Sequence, residues 1–235
     1  MIATVEERSK IGTSSRISRR KTGLKPLIER LPPDSTLILT DQTWENYEKL
    51  LNEIGEASGL RISFNKGNLE IMTLSTTHES YSRLIEKFIG SICITSRIDI
   101  ASFGSATIKK SRVEKGSEPD ACFYVQNAAA IGEKISVNFA IDPPPDVVVE
   151  IDWKHDSLYK FPIYAALNVP EIWRYDGNKM AFYKLDEEKY VEIEQSLALP
   201  MLSAQVLSDF LNRNGKESQS KILRDFEEWL KTKTK

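Results

Sequence analysis

The chain has 235 residues, and few of them are reactive or ligating: two are cysteine and two are histidine. Cys93 and Cys122 each stand in an apolar run, which predicts buried, inert thiols and no disulfide framework. With only His78 and His155 beside them, at no zinc-ligand spacing, a zinc site is not expected. No run approaches the roughly 18 apolar residues of a membrane span. No apolar h-region opens the chain, so the expected location is the cytoplasm, with no membrane partner. A glycine-rich phosphate loop is missing, which argues against a nucleotide cofactor. Charge of either sign is not in excess: the formal net charge is −2. That does not exclude a nucleic-acid partner, because a local basic stripe can act on a near-neutral protein.

What is present is an ordinary soluble composition, 40% hydrophobic and 28% charged, of a length that suits one domain with appendages. Residues 1–25 read as a flexible basic arm. The stretch "SKIGTSSRISRRKTGLK" carries Lys10, Arg16, Arg19, Arg20, Lys21 and Lys25 with no acid. It is expected to be a solvated tail, with nucleic-acid contact as the alternative. Residues 26–235 read as a single domain with a core over about 60–202.

Periodicity gives the elements. "TLILT" is a short strand. "DQTWENYEKLLNEIG" is an amphipathic helix capped by Asp41 or Thr43. In "LRISFNKGNLEIMTL", Leu60, Ile62 and Phe64 alternate on one side of a turn, and Leu69 and Ile71 on the other, which predicts a hairpin. Tyr81, Leu84, Ile85, Phe88, Ile89 and Ile92 recur at helical spacing, with Thr76 and Glu79 in a capping-box pattern before them. "DIASFGSATIKK" reads as a strand interrupted by Gly104, and "DACFYV" as a short apolar strand. "DVVVEID" is apolar at successive positions and is therefore buried on both faces. The helix "DSLYKFPIYAALNV" and the strand "EIWRYDG" complete a parallel crossover unit. Pro162 sets the start of that helix near Lys160. A hairpin, "KMAFYKLDEEKYVEIEQS", and two C-terminal helices follow.

Asp120 opens one apolar strand and Glu150 closes another. Buried strands rarely carry unpaired acids. If the two strands pair, both carboxylates converge at one rim, where they suit a hard divalent cation. Lys160, at the mouth of the next helix, would then face an attacking water or a developing charge. The alternative is structural: both acids cap strand ends and pair with Lys160 or Arg174. Glu79 either completes its capping box or turns inward as a further acid. His78 is expected at the surface of a helix start. Glu70 either joins the acidic rim or is an exposed strand residue. Asp146 and Asp156 read as turn and cap residues, and Trp173 and Arg174 as packing and ion-pairing residues.

The segments "GNLEIM", "THE", "GSATIKKS", "GSEPDACFYVQNAAA", "IDPPPDVVVEID", "SLYKFPIYAALNVPEIWRYDG" and "SLALPML" occur in that order from Gly67 to Leu202. Together they resemble the Uma2 family, a cyanobacterial-type group similar to the PD-(D/E)xK nucleases. The resemblance implies an α/β fold with a restriction-endonuclease-like core, a mixed β-sheet flanked by helices. It implies that Pro119-Asp120 is the "PD" element, that Glu150 is the second acid and that Glu79 is an additional acid. Many relatives carry lysine two residues after the second acid. This chain has Asp152 there, and the resemblance shifts the lysine to Lys160.

The expectation is a Mg²⁺-dependent endonuclease, with Mn²⁺ as a possible substitute. Asp120 and Glu150 hold the metal, Lys160 assists, DNA is the partner and a homodimer cuts both strands. The rival is a catalytically silent nuclease-like fold that binds nucleic acid or protein. A carboxylate-pair glycosidase ranks below both, because no aromatic-lined cleft signature is evident.

Overall fold

A computed structural model describes residues 3–6, 24–55 and 59–233. Apart from strand β1 (Ala3–Glu6) and the two residues at its end, the basic arm lies outside the described residues. The other strands are β2 (Thr36–Leu39), β3 (Leu60–Asn65), β4 (Asn68–Thr73), β5 (Ala101–Ser102), β6 (Ile108–Lys110), β7 (Lys115–Ser117), β8 (Ala121–Tyr124), β9 (Val147–Ile151), β10 (Glu171–Tyr175), β11 (Met180–Asp186) and β12 (Lys189–Ile193). The helices are α1 (Lys25–Ile28), α2 (Trp44–Ile54), α3 (Thr76–Ser96), α4 (Ala128–Ile131), α5 (Phe161–Ala166), α6 (Ala204–Leu211) and α7 (Gln219–Lys231). Among the described residues no helix is long and apolar enough to cross a membrane.

The α/β architecture agrees with expectation, and its strands divide between two six-stranded sheets. The first runs β1-β2-β4-β3-β7-β6 and the second β12-β11-β10-β9-β8-β5. The segment expected to be one strand around Gly104 supplies β5 to the second sheet and β6 to the first. Gly104, at φ +54°, lies between them in a conformation that favours glycine. The first sheet rests on the β3–β4 hairpin, whose turn has Lys66 and Gly67 both at positive φ, as a two-residue hairpin turn requires.

Alternation decides which face of this sheet is dry. Leu37, Leu39, Ile62, Phe64, Leu69 and Ile71 pack with Trp44, Tyr47 and Leu50 of α2. The opposite face carries a cross-strand row of Ile38, Glu70, Ser63 and Ser117. In the second sheet β9 pairs parallel with β10 and antiparallel with β8. Its Val147, Val149 and Ile151 face α3, α6 and α7, while Val148 faces α5. The helical stripe of α3 from Tyr81 to Ile92 is buried as its spacing predicts. Complete burial of Phe88 alone stabilises by about 1.5–3 kcal/mol. The wedge between the outer face of the first sheet and the α5 side of the second holds the polar residues described next.

Candidate active site

β8 and β9 pair with Ala121 opposite Val149, so Asp120 comes beside Glu150 at the end of both strands. The Asp120 N–H donates to the Val149 carbonyl at 2.9 Å, and the Ile151 N–H donates to Asp120 Oδ2 at 2.7 Å. Lys160 arrives by the route its sequence predicts. A 3-10 turn, Leu158–Lys160, leads into α5, with Pro162 in the first helical turn where its missing N–H costs nothing. Its ammonium lies 2.7 Å from Glu150 Oε2 and 3.5 Å from the Glu118 carbonyl. All three side chains are buried. Lys160 is only 1% exposed, which corrects the expected polar rim to an interior site.

Asp120 is surrounded by cations. Arg61 Nε donates to Asp120 Oδ1 at 2.9 Å, and His78 Nε2 lies 3.1 Å from Oδ2. Burial alone would raise the Asp120 carboxyl, but His78 and then Arg61 override it and hold the group well below the usual carboxylate range. Glu150 goes the other way. Burial lifts it to about 7 against the opposing charge of Lys160, and the charge of Asp120 adds to the rise. Burial would lower Lys160, but Glu150 and Asp120 outweigh it and raise the ammonium above its usual value. The three groups therefore share one electrostatic site.

Glu79 joins through Arg61, whose Nη2 lies 3.4 Å from Glu79 Oε1, and Arg83 lies 3.3 Å from Oε2. The capping-box reading is corrected. Ser75 is the N-cap and accepts from the His78 N–H at 3.3 Å, which leaves Glu79 free to face the arginines. His78, expected at the surface, is buried against Asp120, because the cap at Ser75 turns that side of the first helical turn inward.

A chain of hydroxyls runs from the other side of Glu150. The Tyr164 hydroxyl donates to Glu150 Oε1. The Tyr164 hydroxyl lies 3.2 Å from Ser117 Oγ, which lies 2.9 Å from Ser63 Oγ. The Tyr159 hydroxyl sits beside Ser63 and Glu70. Glu70 is half-buried, and burial raises its carboxyl. Sequence reading missed Arg61, Ser63, Ser117 and Tyr164. The polar alternation of β3 was the available signal for the first two.

The remaining candidates fall elsewhere. Asp152, in the vacated lysine position, forms an ion pair with Arg174 and accepts from the Ser157 N–H. Trp173 is buried and stacks on Phe182. Lys154 pairs with Asp34, and the His155 ring bonds the Asp34 carbonyl at 2.7 Å. Asp146 accepts from the Val125 and Asn127 N–H groups and so organises a turn; Asp156 accepts from the Leu158 N–H. Cys122 is buried as expected, whereas Cys93 is only partly so, because it lies beside the main α3 stripe rather than on it.

The donor chemistry suits a hard divalent cation. Asp120 Oδ1 and both Glu150 oxygens each have one hydrogen-bond donor among the described residues, and a carboxylate oxygen has two lone pairs. Among the described residues no group of three or more His, Cys, Asp or Glu side chains forms a full metal cage. Such a site would therefore have to complete its coordination with water and substrate oxygens, as Mg²⁺ commonly does.

The model of the Uma2 family, described as "Putative restriction endonuclease", matches residues 44–212. Among solved structures the chain is similar to a protein from Anabaena variabilis described as "a putative nuclease belonging to DUF820". The identity is 16% and the TM-score 0.49, over 72% of this chain and 99% of that one. No curated protein matches.

Proposed function

The chain belongs to the Uma2 family, and from that premise we propose that it is a metal-dependent endonuclease that hydrolyses DNA phosphodiester bonds. One observation carries the reading: Asp120 and Glu150 sit together on paired strands, with the Lys160 ammonium 2.7 Å from Glu150 Oε2. Asp120 and Glu150 would hold Mg²⁺ or Mn²⁺. When bound, such an ion polarises a phosphate oxygen and lowers the pKa of a coordinated water.

The chain's own residues do the rest. Arg61 and His78 keep Asp120 ionised. Tyr164 and Lys160 take one oxygen each of Glu150 and fix its orientation. Lys160, a cation already fixed before substrate arrives, orients the water and stabilises charge developing on the phosphoryl oxygens. Glu79, joined to Asp120 through Arg61, supplies a further acid. The enzyme acts in the cytoplasm, and a homodimer presents two such sites to the two strands.

A second reading has an observation of its own. Arg61, His78, Lys160 and Tyr164 already satisfy the two acids internally, as they would in a silent nuclease-like binding module. One experiment separates the two. Purified protein is incubated with plasmid and Mg²⁺ or Mn²⁺ beside Asp120→Ala, and Mn²⁺ binding is followed by calorimetry. Nicked or linear plasmid and Mn²⁺ binding, both lost in Asp120→Ala, support the enzyme. Inert protein that binds no Mn²⁺ supports the binding module.

A further inference from the structure

Beside the acids, on the outer face of the first sheet, lies a second concavity of about 210 Å³ that the proposed chemistry does not use. Its lining mixes Ser63, Asn65, Asn68, Glu70 and Tyr159 with two apolar walls, Ile38 and Ile163. The floor is the cross-strand row Ile38–Glu70–Ser63. The roof is the 3-10 turn and the start of α5, the same segment that delivers Lys160. An aromatic ring, two amides, a hydroxyl and a carboxylate around a space of about seven waters, at roughly 30 Å³ each, suit one planar heterocycle with a hydrogen-bonding edge. They do not suit a duplex.

The rim carries the complementary charge. Asn65 pairs with Lys115 across β3 and β7, and Lys66 occupies the adjoining hairpin turn. Lys110, which donates to the Leu167 carbonyl at 3.3 Å, and Arg112 follow on the neighbouring β6–β7 segment, whereas Lys109 pairs with Glu48 of α2 on the other face. Lysines along an edge beside a polar slot present the pairing of features that binds an unstacked nucleotide strand, with phosphates on the rim and a base in the slot. The slot is also wired to the acids: Ser63 bonds Ser117, Ser117 approaches Tyr164, and Tyr164 bonds Glu150. An occupant would therefore sit next to the chain that fixes one carboxylate.

We propose that this slot takes a single unpaired or extruded base of the DNA strand, with the adjoining phosphates on Lys66 and Lys115. This rests on the nuclease reading and adds a requirement for an unstacked nucleotide close to the cut.

The test uses the full chain in EDTA, so that binding is observed without cleavage. Hairpin and single-stranded oligodeoxynucleotides carry 2-aminopurine at one position at a time. The expected result is a fluorescence change at a single position, which differs from the change at its neighbours. Ile38→Trp fills the slot. It should abolish that signal and weaken oligonucleotide binding about 5–150-fold, the range that stacking of one base spans, while the melting temperature stays near wild type. Asn68→Ala empties part of the slot without filling it and should change which of the four bases binds best. If Ile38→Trp fails to fold, the Asn68→Ala preference decides alone. DNA binding with no position-specific signal, or with a signal and base ranking unchanged in the variants, overturns the slot and leaves the nuclease reading standing. No DNA binding, together with no cleavage in Mg²⁺, overturns both.

Discussion

His78 and Asp120 are buried against each other, with Nε2 3.1 Å from Oδ2 and the imidazole 3% exposed. The contact has the distance of an ion pair but not the alignment of a hydrogen bond, since neither ring nitrogen has a hydrogen-bond partner among the described residues. Burial would lower the His78 pKa, but the charge of Asp120 outweighs it and the folded value is raised above 6.5. The native state therefore holds the proton more tightly than the unfolded chain. Its contribution to stability is complete below about pH 6.5 and is lost as pH rises through the higher folded value. Glu150, raised to about 7, adds a fall of the same sign between about pH 4.5 and 7. The wild-type melting temperature should fall between pH 6 and 8.5. His78→Asn should fall only up to about pH 7, where the Glu150 share ends, and should be flatter than wild type above it. Parallel curves for the two proteins would show that His78 does not titrate against Asp120.

Lys160 is the most deeply buried cation of the site, and its loss strands an acid. Lys160→Met should destabilise by about 3–5 kcal/mol at neutral pH, the usual cost of breaking a buried pair from one side. The cost should shrink as pH falls, because Glu150 can take up a proton and remove its charge. The double variant Lys160→Met/Glu150→Gln should recover most of the loss. Urea melts at pH 5.5 and 8 check both statements, and a pH-independent cost would mean that packing of the lysine stem, not its charge, is what matters.

Tyr164 holds the other oxygen of Glu150. Tyr164→Phe keeps the ring in its buried place and removes only the hydroxyl. A hydrogen bond to a charged group contributes about 1.5–3 kcal/mol, so turnover on plasmid should fall on the order of 10–100-fold if the orientation of Glu150 matters to the reaction. The melting temperature should fall more modestly than in Lys160→Met, because no charge is left unpaired. Wild-type turnover in this variant would confine Tyr164 to a structural role.

Asp120, Glu150 and Lys160 could be read from the sequence because each breaks a strong local pattern. The two acids interrupt apolar strands too short and too buried to carry a free charge, and Pro162 leaves one place for the helix to begin. Their pairing with Arg61, His78 and Tyr164 was not legible, for a common reason. Alternation in β3 shows which side chains face α2 but not what covers the other face. In the folded chain that face is partly covered by α5 and the 3-10 turn, elements about 100 positions later in the chain. His78 was misread because Thr76 and Ser75 are equally good caps in sequence, and a shift of one residue turns the helix by about 100°. The division into two sheets was hidden by Gly104, which reads as an interruption within one strand when it separates strands of different sheets.

Glu79 tests whether the acid cluster extends beyond the two strand ends. Its side chain is 30% exposed, and Arg61 and Arg83 lie 3.4 and 3.3 Å away, longer than well-formed charge-assisted hydrogen bonds. As an ion-pair partner alone it is worth little, about 0–1 kcal/mol after screening. Glu79→Gln should therefore melt close to wild type. As a further acid it acts on Asp120 through the shared guanidinium, and loss of an outer partner typically costs 10–100-fold in metal affinity. The Mg²⁺ concentration for half-maximal plasmid cleavage should then rise by about that factor, while the rate at saturating Mg²⁺ changes less. Because loss of Glu79 removes one acid competing with Asp120 for the Arg61 guanidinium, Arg61→Gln should act in the opposite direction on metal affinity, although it costs more stability. An unchanged Mg²⁺ requirement in Glu79→Gln would leave Glu79 as a surface partner of two arginines and confine the site to Asp120, Glu150 and Lys160.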